Sequence, residues 1–238
     1  MSHQVQTIMK IATWNLRHGG GSRIRAICNV VRDLSTFDVL IFTEFRENKN
    51  ASTLKKQCEL LGFVHLFSSV NEPKKNGVLV ASKAKMSAST APELLEHQHR
   101  VVIAEIGRIH LYGCYFPQRE AKEALFHFLQ KQATTNLPIV VTGDINTGLH
   151  FKDEQRASFY CAEHFEALLK SGLSDAYRHL HPDKAEFSWY SNVGNGFRID
   201  HFLVSDSMVD QVLGCEYLHE PREQKSSDHS VMALHLSL

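Results

Sequence analysis

Neither sign of charge prevails in this chain: 26 lysines and arginines stand against 26 aspartates and glutamates in 238 residues. A strongly basic domain would point to nucleic acid at once; here any grip on a polyanion must come from local patches. Paired cysteines are lacking too. The five present (Cys28, Cys58, Cys114, Cys161 and Cys215) are an odd number with no Cys-x-x-Cys spacing, which argues against a disulfide framework and a thiolate zinc site. Most lie in apolar patterns and read as small buried hydrophobes. Fifteen histidines are many, but none falls in a His-Glu-x-x-His or similar ligand spacing, and most read as surface or hydrogen-bonded core groups. No apolar run approaches a membrane span. The N-terminal MSHQVQTIMK lacks the apolar segment of a secretory leader. No repeat, low-complexity tract or long Pro/Gly/Ser linker divides the chain. These absences leave a soluble protein of a reducing cytoplasm, expected to form one domain over residues 1–238, with 43% apolar residues to fill its core.

The apolar residues come in short runs separated by amphipathic stretches. Runs at 9–14, 38–43, 63–67, 76–82, 101–106, 109–115, 138–142, 186–190, 198–204 and 231–236 are rich in β-branched or aromatic residues and bounded by Gly, Pro, Asn or charge, so they predict strands. Segments 23–34, 51–61, 119–135 and 157–171 predict helices. In 119–135, Ala121, Ala124, Leu125, Phe128 and Leu129 recur at helical spacing. Strands outnumber helices, and hairpin-like pairs alternate with helical crossovers, which fits mixed sheets covered by helices. Residues 17–22, 71–76, 147–156 and 219–227 read as loops.

Polar residues sit repeatedly where these strands end. Asn15 closes Ala-Thr-Trp-Asn, Glu44 closes Leu-Ile-Phe-Thr-Glu, and Tyr115 closes Tyr-Gly-Cys-Tyr. Asp144 and Asn146 follow Ile-Val-Val-Thr-Gly; Asp200 interrupts a buried-looking run; Asp228 and His229 precede the last strand. Singly, each has an ordinary explanation as a turn residue, a solvated strand end or an Asx turn. Asp200 resists this, because an acid between Ile199 and Phe202 must be paired if buried. Together they suit phosphate chemistry. Glu44 offers the hard oxygen that Mg²⁺ or Mn²⁺ prefers. Asp144 is placed to take a proton from water and Asn146 to orient that water. His229, held by Asp200, would donate to a phosphate oxygen, with Tyr115 beside the developing charge and Asn15 steadying the metal ligand or phosphate.

In order and spacing, the segments Ile-Ala-Thr-Trp-Asn (11–15), Thr-Glu (43–44), Tyr-Phe-Pro-Gln (115–118), Gly-Asp-Ile-Asn (143–146), Gly-Leu-Ser-Asp-Ala-Tyr-Arg-His (172–179), Phe-Ser-Trp-Tyr (187–190), Arg-Ile-Asp (198–200) and Ser-Asp-His (227–229) resemble the endonuclease/exonuclease/phosphatase superfamily. These are the metal-dependent phosphoesterases related to DNase I, and the Tyr-Phe-Pro-Gln form is similar to the exonuclease III type of apurinic/apyrimidinic endonuclease. The resemblance implies a four-layer α/β sandwich, two mixed sheets face to face with helices outside. It implies Glu44 as main metal ligand with Asn15 beside it and Asp228 further out. Asp144 and Asn146 would activate water, and Tyr115, Asp200 and His229 would act on the phosphate. Trp189 and Phe197 would line a pocket for a base-free sugar, or simply pack the core. Apart from what the resemblance implies, Arg17, Arg46 and Gln118 are candidate substrate contacts.

Three features depart from that pattern. Arg17 stands where the family has a neutral or acidic group near the metal, and Arg46 stands where the branch often has lysine. The stretch from Gln118 to Gly143 is also short, which with the neutral charge argues against a tight duplex grip. The function expected is a Mg²⁺- or Mn²⁺-dependent phosphodiesterase acting on nucleic acid, DNA in the first place, as a monomer, with abasic-site incision among its forms. Arg23, Lys74, Lys75 and Arg119 join the candidate phosphate contacts, with ordinary surface charge as their alternative. A phosphatase or phosphodiesterase for a small or lipid phosphoester on the same machinery is the second reading. A non-catalytic binding module is the third, disfavoured because Glu44, Asp144, Asn146, Asp200 and His229 are all present.

Overall fold

The computed structural model describes residues 7–238; most of the N-terminal stretch expected to carry no secretory leader lies outside the described residues. The chain runs β1 (Ile8–Asn15), α1 (Ile24–Asp33), β2 (Val39–Phe45), α2 (Ala51–Leu60), β3 (His65–Ser68), β4 (Gly77–Ser82), β5 (Met86–Thr90), β6 (Val101–Ile106) and β7 (Ile109–Tyr115). It continues through α3 (Glu123–Ala133), β8 (Ile139–Asp144), α4 (Ala162–Leu169), β9 (Leu173–Asp175), α5 (Ala176–Leu180), β10 (Trp189–Tyr190), β11 (Gly196–Phe197) and β12 (Asp200–Ser205), then β13 (Val212–Leu218), α6 (Glu220–Glu223) and β14 (Val231–Ser237). One sheet has the order β13-β14-β1-β2-β4-β3 and the other β5-β6-β7-β8-β12-β9. Each is antiparallel except for one central parallel pair, β1 with β2 and β7 with β8. A helix crosses over between the two strands of each parallel pair, α1 in the first sheet and α3 in the second.

Side-chain alternation along the strands makes the layers. In β2, Val39 and Ile41 face the second sheet and pack with Val102, Leu111, Val140 and Val204, while Leu40 and Phe42 face outward onto Ile27, Val31 and Leu54 of α1 and α2. In β8, Val140 joins the layer between the sheets, and Ile139 and Val141 pack outward on Leu125, Leu129 and Phe165 of α3 and α4. The result is the four-layer α/β sandwich that the resemblance implies.

Several elements differ from expectation. The predicted helix 119–135 opens with a 3₁₀ turn, Arg119–Lys122, before α3 begins. The predicted helix 157–171 shortens to α4. The run 186–190 contributes only Trp189 and Tyr190, paired with Gly196 and Phe197. The loop at 219–227 contains α6. Strands β5, β9 and β13 were not expected. Their sequences Met-Ser-Ala-Ser-Thr, Leu-Ser-Asp and Val-Leu-Gly-Cys-Glu-Tyr-Leu are short, small or mixed, because all three are edge strands.

Register brings the site together. Asn15 pairs with Thr43, and Asp144 lies opposite both Tyr115 and Asp200. The ends of both parallel pairs, the start of β12 and the residues before β14 therefore meet at one end of the sandwich.

Candidate active site

Backbone features first aim the side chains. Glu44 sits at an irregularity in the β2–β4 register, with φ 51°, a left-handed conformation uncommon outside glycine. Such a bulge re-aims a side chain. Gly143 has φ 130°, and a Cβ there would lie 2.0 Å from the Cys114 carbonyl oxygen, so only glycine lets β8 run this close to β7. Asn146, two residues beyond Asp144, is also left-handed, at φ 56°.

These features open a cleft of about 520 Å³. Glu44, Tyr115, Asp144, Asn146, Asp228 and His229 line it, with Gln118 on one side and Trp189 and Phe197 on another. Asn15 and Asp200 lie behind that lining, each 1% exposed. Arg17 and Arg46 stand outside it. Arg17 Nε is 3.5 Å from Asp228 Oδ2. Arg46 Nε donates to Asn76 Oδ1 at 2.5 Å, and one of its Nη atoms lies 3.0 Å from His18 Nδ1.

Asn15 Nδ2 donates to Glu44 Oε1 at 3.2 Å and to Asp144 Oδ2 at 2.8 Å, while its Oδ1 accepts from the Arg17 N–H at 2.8 Å. With its amide nitrogen facing both carboxylates and its oxygen turned to the main chain, Asn15 ties the two acids together. Asn146 likewise has both ends of its amide engaged. Nδ2 donates to the Phe116 carbonyl at 2.8 Å, and Oδ1 accepts from Gln118 Nε2 at 2.5 Å. Gln118 thus touches Asn146 as well as lining the cleft.

His229 Nδ1 lies 2.8 Å from Asp200 Oδ2. Burial works against the imidazolium, but the Asp200 charge and hydrogen bond outweigh it and hold His229 up at about 10. Nδ1–H is committed to Asp200, leaving Nε2–H for the cleft. Asp144 is pushed well above the usual carboxylate range, first by burial, then by the charges of Asp200 and Glu44, against the opposing pull of His229. Burial, and then Glu44 and Asp144, push the Tyr115 phenol up to about 12, so it remains a proton donor.

Several participants escaped the sequence reading. Asn76 Nδ2 donates to Glu44 Oε2 at 3.2 Å and to the Tyr115 hydroxyl oxygen at 3.3 Å. His18 gives its main-chain N–H to Glu44 Oε2 at 2.8 Å and sets Nδ1 2.7 Å from the same oxygen. The Arg100 guanidinium lies 5.2 Å from the Tyr115 ring centre. Lys122, 1% exposed, lines the cleft. Phe159 and Tyr160 also line it, Phe159 edge-on to Phe197. None of these ends a strand, which was the signal that found the others.

The donor set bears on a cation. Among the described residues, no three His, Cys, Asp or Glu side chains form a ready ligand cage. Glu44 and Asp228, with Asp144 nearby, present hard oxygen on one open cleft. Such a set fits Mg²⁺ or Mn²⁺, which keep several waters and need few protein ligands, and does not fit zinc.

The family model for the endonuclease/exonuclease/phosphatase family matches residues 12–229, a span that takes in every strand-end group above. The chain belongs to this family. Across 97% of its length it is 22% identical to an exodeoxyribonuclease of Streptococcus pneumoniae, all of which is covered. That alignment runs over 285 positions against the 238 residues present here, so the relative carries segments without a counterpart in this chain. It is 28% identical over 191 residues to a DNA-(apurinic or apyrimidinic site) endonuclease of Arabidopsis thaliana, covering 60% of this chain and 52% of that one. Among solved structures, a 3′ phosphatase from Neisseria bound to a product DNA hairpin has the same fold, with TM-score 0.83, 23% identity, and 97% of this chain and 100% of that one covered. An AP endonuclease from Archaeoglobus fulgidus gives TM-score 0.82 and 22% identity at the same coverage.

Proposed function

We propose that the protein is a divalent-metal-dependent phosphodiesterase that hydrolyses nucleic-acid backbones, DNA foremost, by in-line attack of an activated water. The whole chain then acts as one catalytic domain, monomeric and cytoplasmic. The observation that carries this reading is the placement of an acid with raised pKa, Asp144, and a buried imidazolium, His229, on one cleft beside the Glu44 carboxylate.

The chemistry follows from the geometry. Asp144, protonated more readily than an ordinary carboxylate, accepts the proton of the attacking water. Asn146, its side-chain amide engaged at both ends, steadies Asp144 through its main-chain N–H, and Asn15 holds Asp144 and Glu44 in place. His229, charged and fixed by Asp200, donates Nε2–H to a non-bridging phosphate oxygen, and Tyr115 donates its phenolic proton as charge builds. Glu44, with Asp228 at the rim, would hold Mg²⁺ or Mn²⁺, which when bound neutralises phosphate charge. Arg17 and Arg46, outside the lining, are the candidates to meet flanking phosphates. Trp189 and Phe197 form an aromatic wall suited to a sugar without its base. Relatives named as abasic-site endonucleases support incision at such sites.

A gel assay with Mg²⁺ tests the reading. It compares a duplex carrying one abasic analogue, the matched intact duplex and the single strand, with and without chelator, using Asp144→Asn as control. Metal-dependent cleavage lost in the variant is expected. A folded, metal-binding protein that cuts none of the three would favour a small-molecule phosphoester instead, for which the short loops and zero net charge speak.

A further inference from the structure

Lys122 is placed against ordinary rules. It is 1% exposed, yet lysine is almost never fully buried without a partner. It also immediately precedes the first residue of α3, where the helix dipole disfavours a cation. Burial lowers its pKa to about 8, partly offset by Cys161 from before α4, Asp144 from β8 and Glu120 from its own turn. A local rule broken in this way, with no gain for the core, marks a functional position.

Its Nζ donates to the Asn146 main-chain oxygen at 2.6 Å. Asn146 carries a strained left-handed backbone, and the segment from Phe116 to Lys122 supplies three of the contacts that hold it there. The fourth is the Asn146 N–H, which donates to Asp144 Oδ1 at 3.0 Å. Asn15 holds the other oxygen, Oδ2, so if Asn146 turns, Asp144 loses one of the two donors that orient it.

We propose that Lys122 is a positioning residue whose ammonium clamps Asn146 and, through it, aims the Asp144 carboxylate. The inference rests on the reading of Asp144 as the water-activating base.

The test compares Lys122→Met, Lys122→Gln and Lys122→Arg with the parent protein. It measures kcat and KM separately on an oligonucleotide, the pH profile of kcat, and the Asn146 side-chain amide signal by ¹⁵N NMR. Lys122→Met is expected to lower kcat about ten- to a hundredfold with KM within about twofold, a loss of the size expected when a catalytic group is misplaced rather than removed. The Asn146 signal should shift. The parent's kcat should fall as pH rises through about 8, and that fall should be absent in the Met variant. Lys122→Arg, charged at all these pH values, should recover part of kcat. Lys122→Gln shares the expected loss if charge matters, and serves if the Met variant does not fold. An unchanged kcat, a rise in KM alone, or an unmoved Asn146 signal in a folded variant overturns the proposal. Asp144→Asn runs alongside: if it keeps near-parent activity, the underlying reading has failed rather than the role of Lys122.

Discussion

Two clusters of acids lie close together in this fold and are treated in opposite ways. Arg198 and Asp200, two residues apart, belong to different ones. In the first cluster, Arg198 is fully buried and grips Asp153 with Nε and an Nη at 2.7 and 3.0 Å, while reaching Asp175 at 2.5 Å. Arg178 adds a second cation on Asp153 at 2.6 Å. In the second, Glu44, Asp144, Asp200 and Asp228 gather around one buried imidazolium, His229, and Asp200 Oδ1 is buried with no hydrogen-bond partner among the described residues. Burial opposes ionisation in both, yet Asp153 and Asp175 end below the usual carboxylate range because Arg198 outweighs it, whereas Asp144 ends above. The compensated cluster holds β9, the start of β12 and the loop after β8 together. The under-compensated one is left with negative charge that a cation and a proton can meet. Both contain two buried acids, Asp153 and Asp175 in one and Asp144 and Asp200 in the other; the balance of partners separates scaffold from chemistry.

The largest expected effects set the two clusters apart. Asp144→Asn should lower kcat about 10²- to 10⁴-fold, the span of a lost general base, while metal-free stability at neutral pH holds or rises. A carboxyl with raised folded pKa loses stability as pH climbs above its unfolded value, and the amide removes that loss. Arg198→Met should do the reverse to the scaffold. It strands two buried carboxylates, which costs about 3–5 kcal/mol by urea unfolding. A mild loss would mean that the acids find other partners and that the clusters differ less than their geometry indicates.

Acid titration sharpens the contrast further. Asp153 and Asp175 have depressed folded pKa values, so their stabilisation is fully present above the unfolded value of about 3.9 and is lost as pH falls through the folded values. Unfolding followed by circular dichroism should therefore steepen below about pH 4. Arg198→Met should flatten that limb, since its acids no longer gain from being charged. A limb of unchanged slope in the variant would assign the acid sensitivity elsewhere.

The sequence made one side of this contrast visible and hid the other. Glu44, Asp144 and Asp200 announce themselves because each breaks or ends an apolar run, and the central strands are readable because both faces are buried, as in Val-Leu-Ile-Phe-Thr. Asp153 lies in a stretch that reads as plain loop; nothing local says that Arg198 lies across from it. Lys122 is masked by Arg119, Glu120 and Glu123, which make it look like one more residue of a polar helix face. Asn76 lies just before β4 and His18 opens a short 3₁₀ helix, so neither closes an apolar run. Edge strands β5 and β13 pair on one side only and carry small or charged residues, so their alternation is diluted. What is legible is burial along the chain; what is not is the partner a buried group meets from a distant segment.

The smallest expected effect concerns the cation. The core layers close without it, so a chelator should stop turnover while the melting temperature of the metal-free protein stays that of a folded sandwich. Added Mg²⁺ should then stabilise by mass action alone, about 1.4 kcal/mol at ten times its dissociation constant, seen as a modest rise in melting temperature. Glu44→Ala should abolish that rise, because Glu44 is the lining carboxylate already tied to Asn15, Asn76 and His18. Arg198→Met should keep it, at a lower starting temperature. If instead the chelated protein unfolds, or if Arg198→Met loses the Mg²⁺ increment as well, the two acid clusters are one cooperative unit, and the division between scaffold and chemistry does not hold.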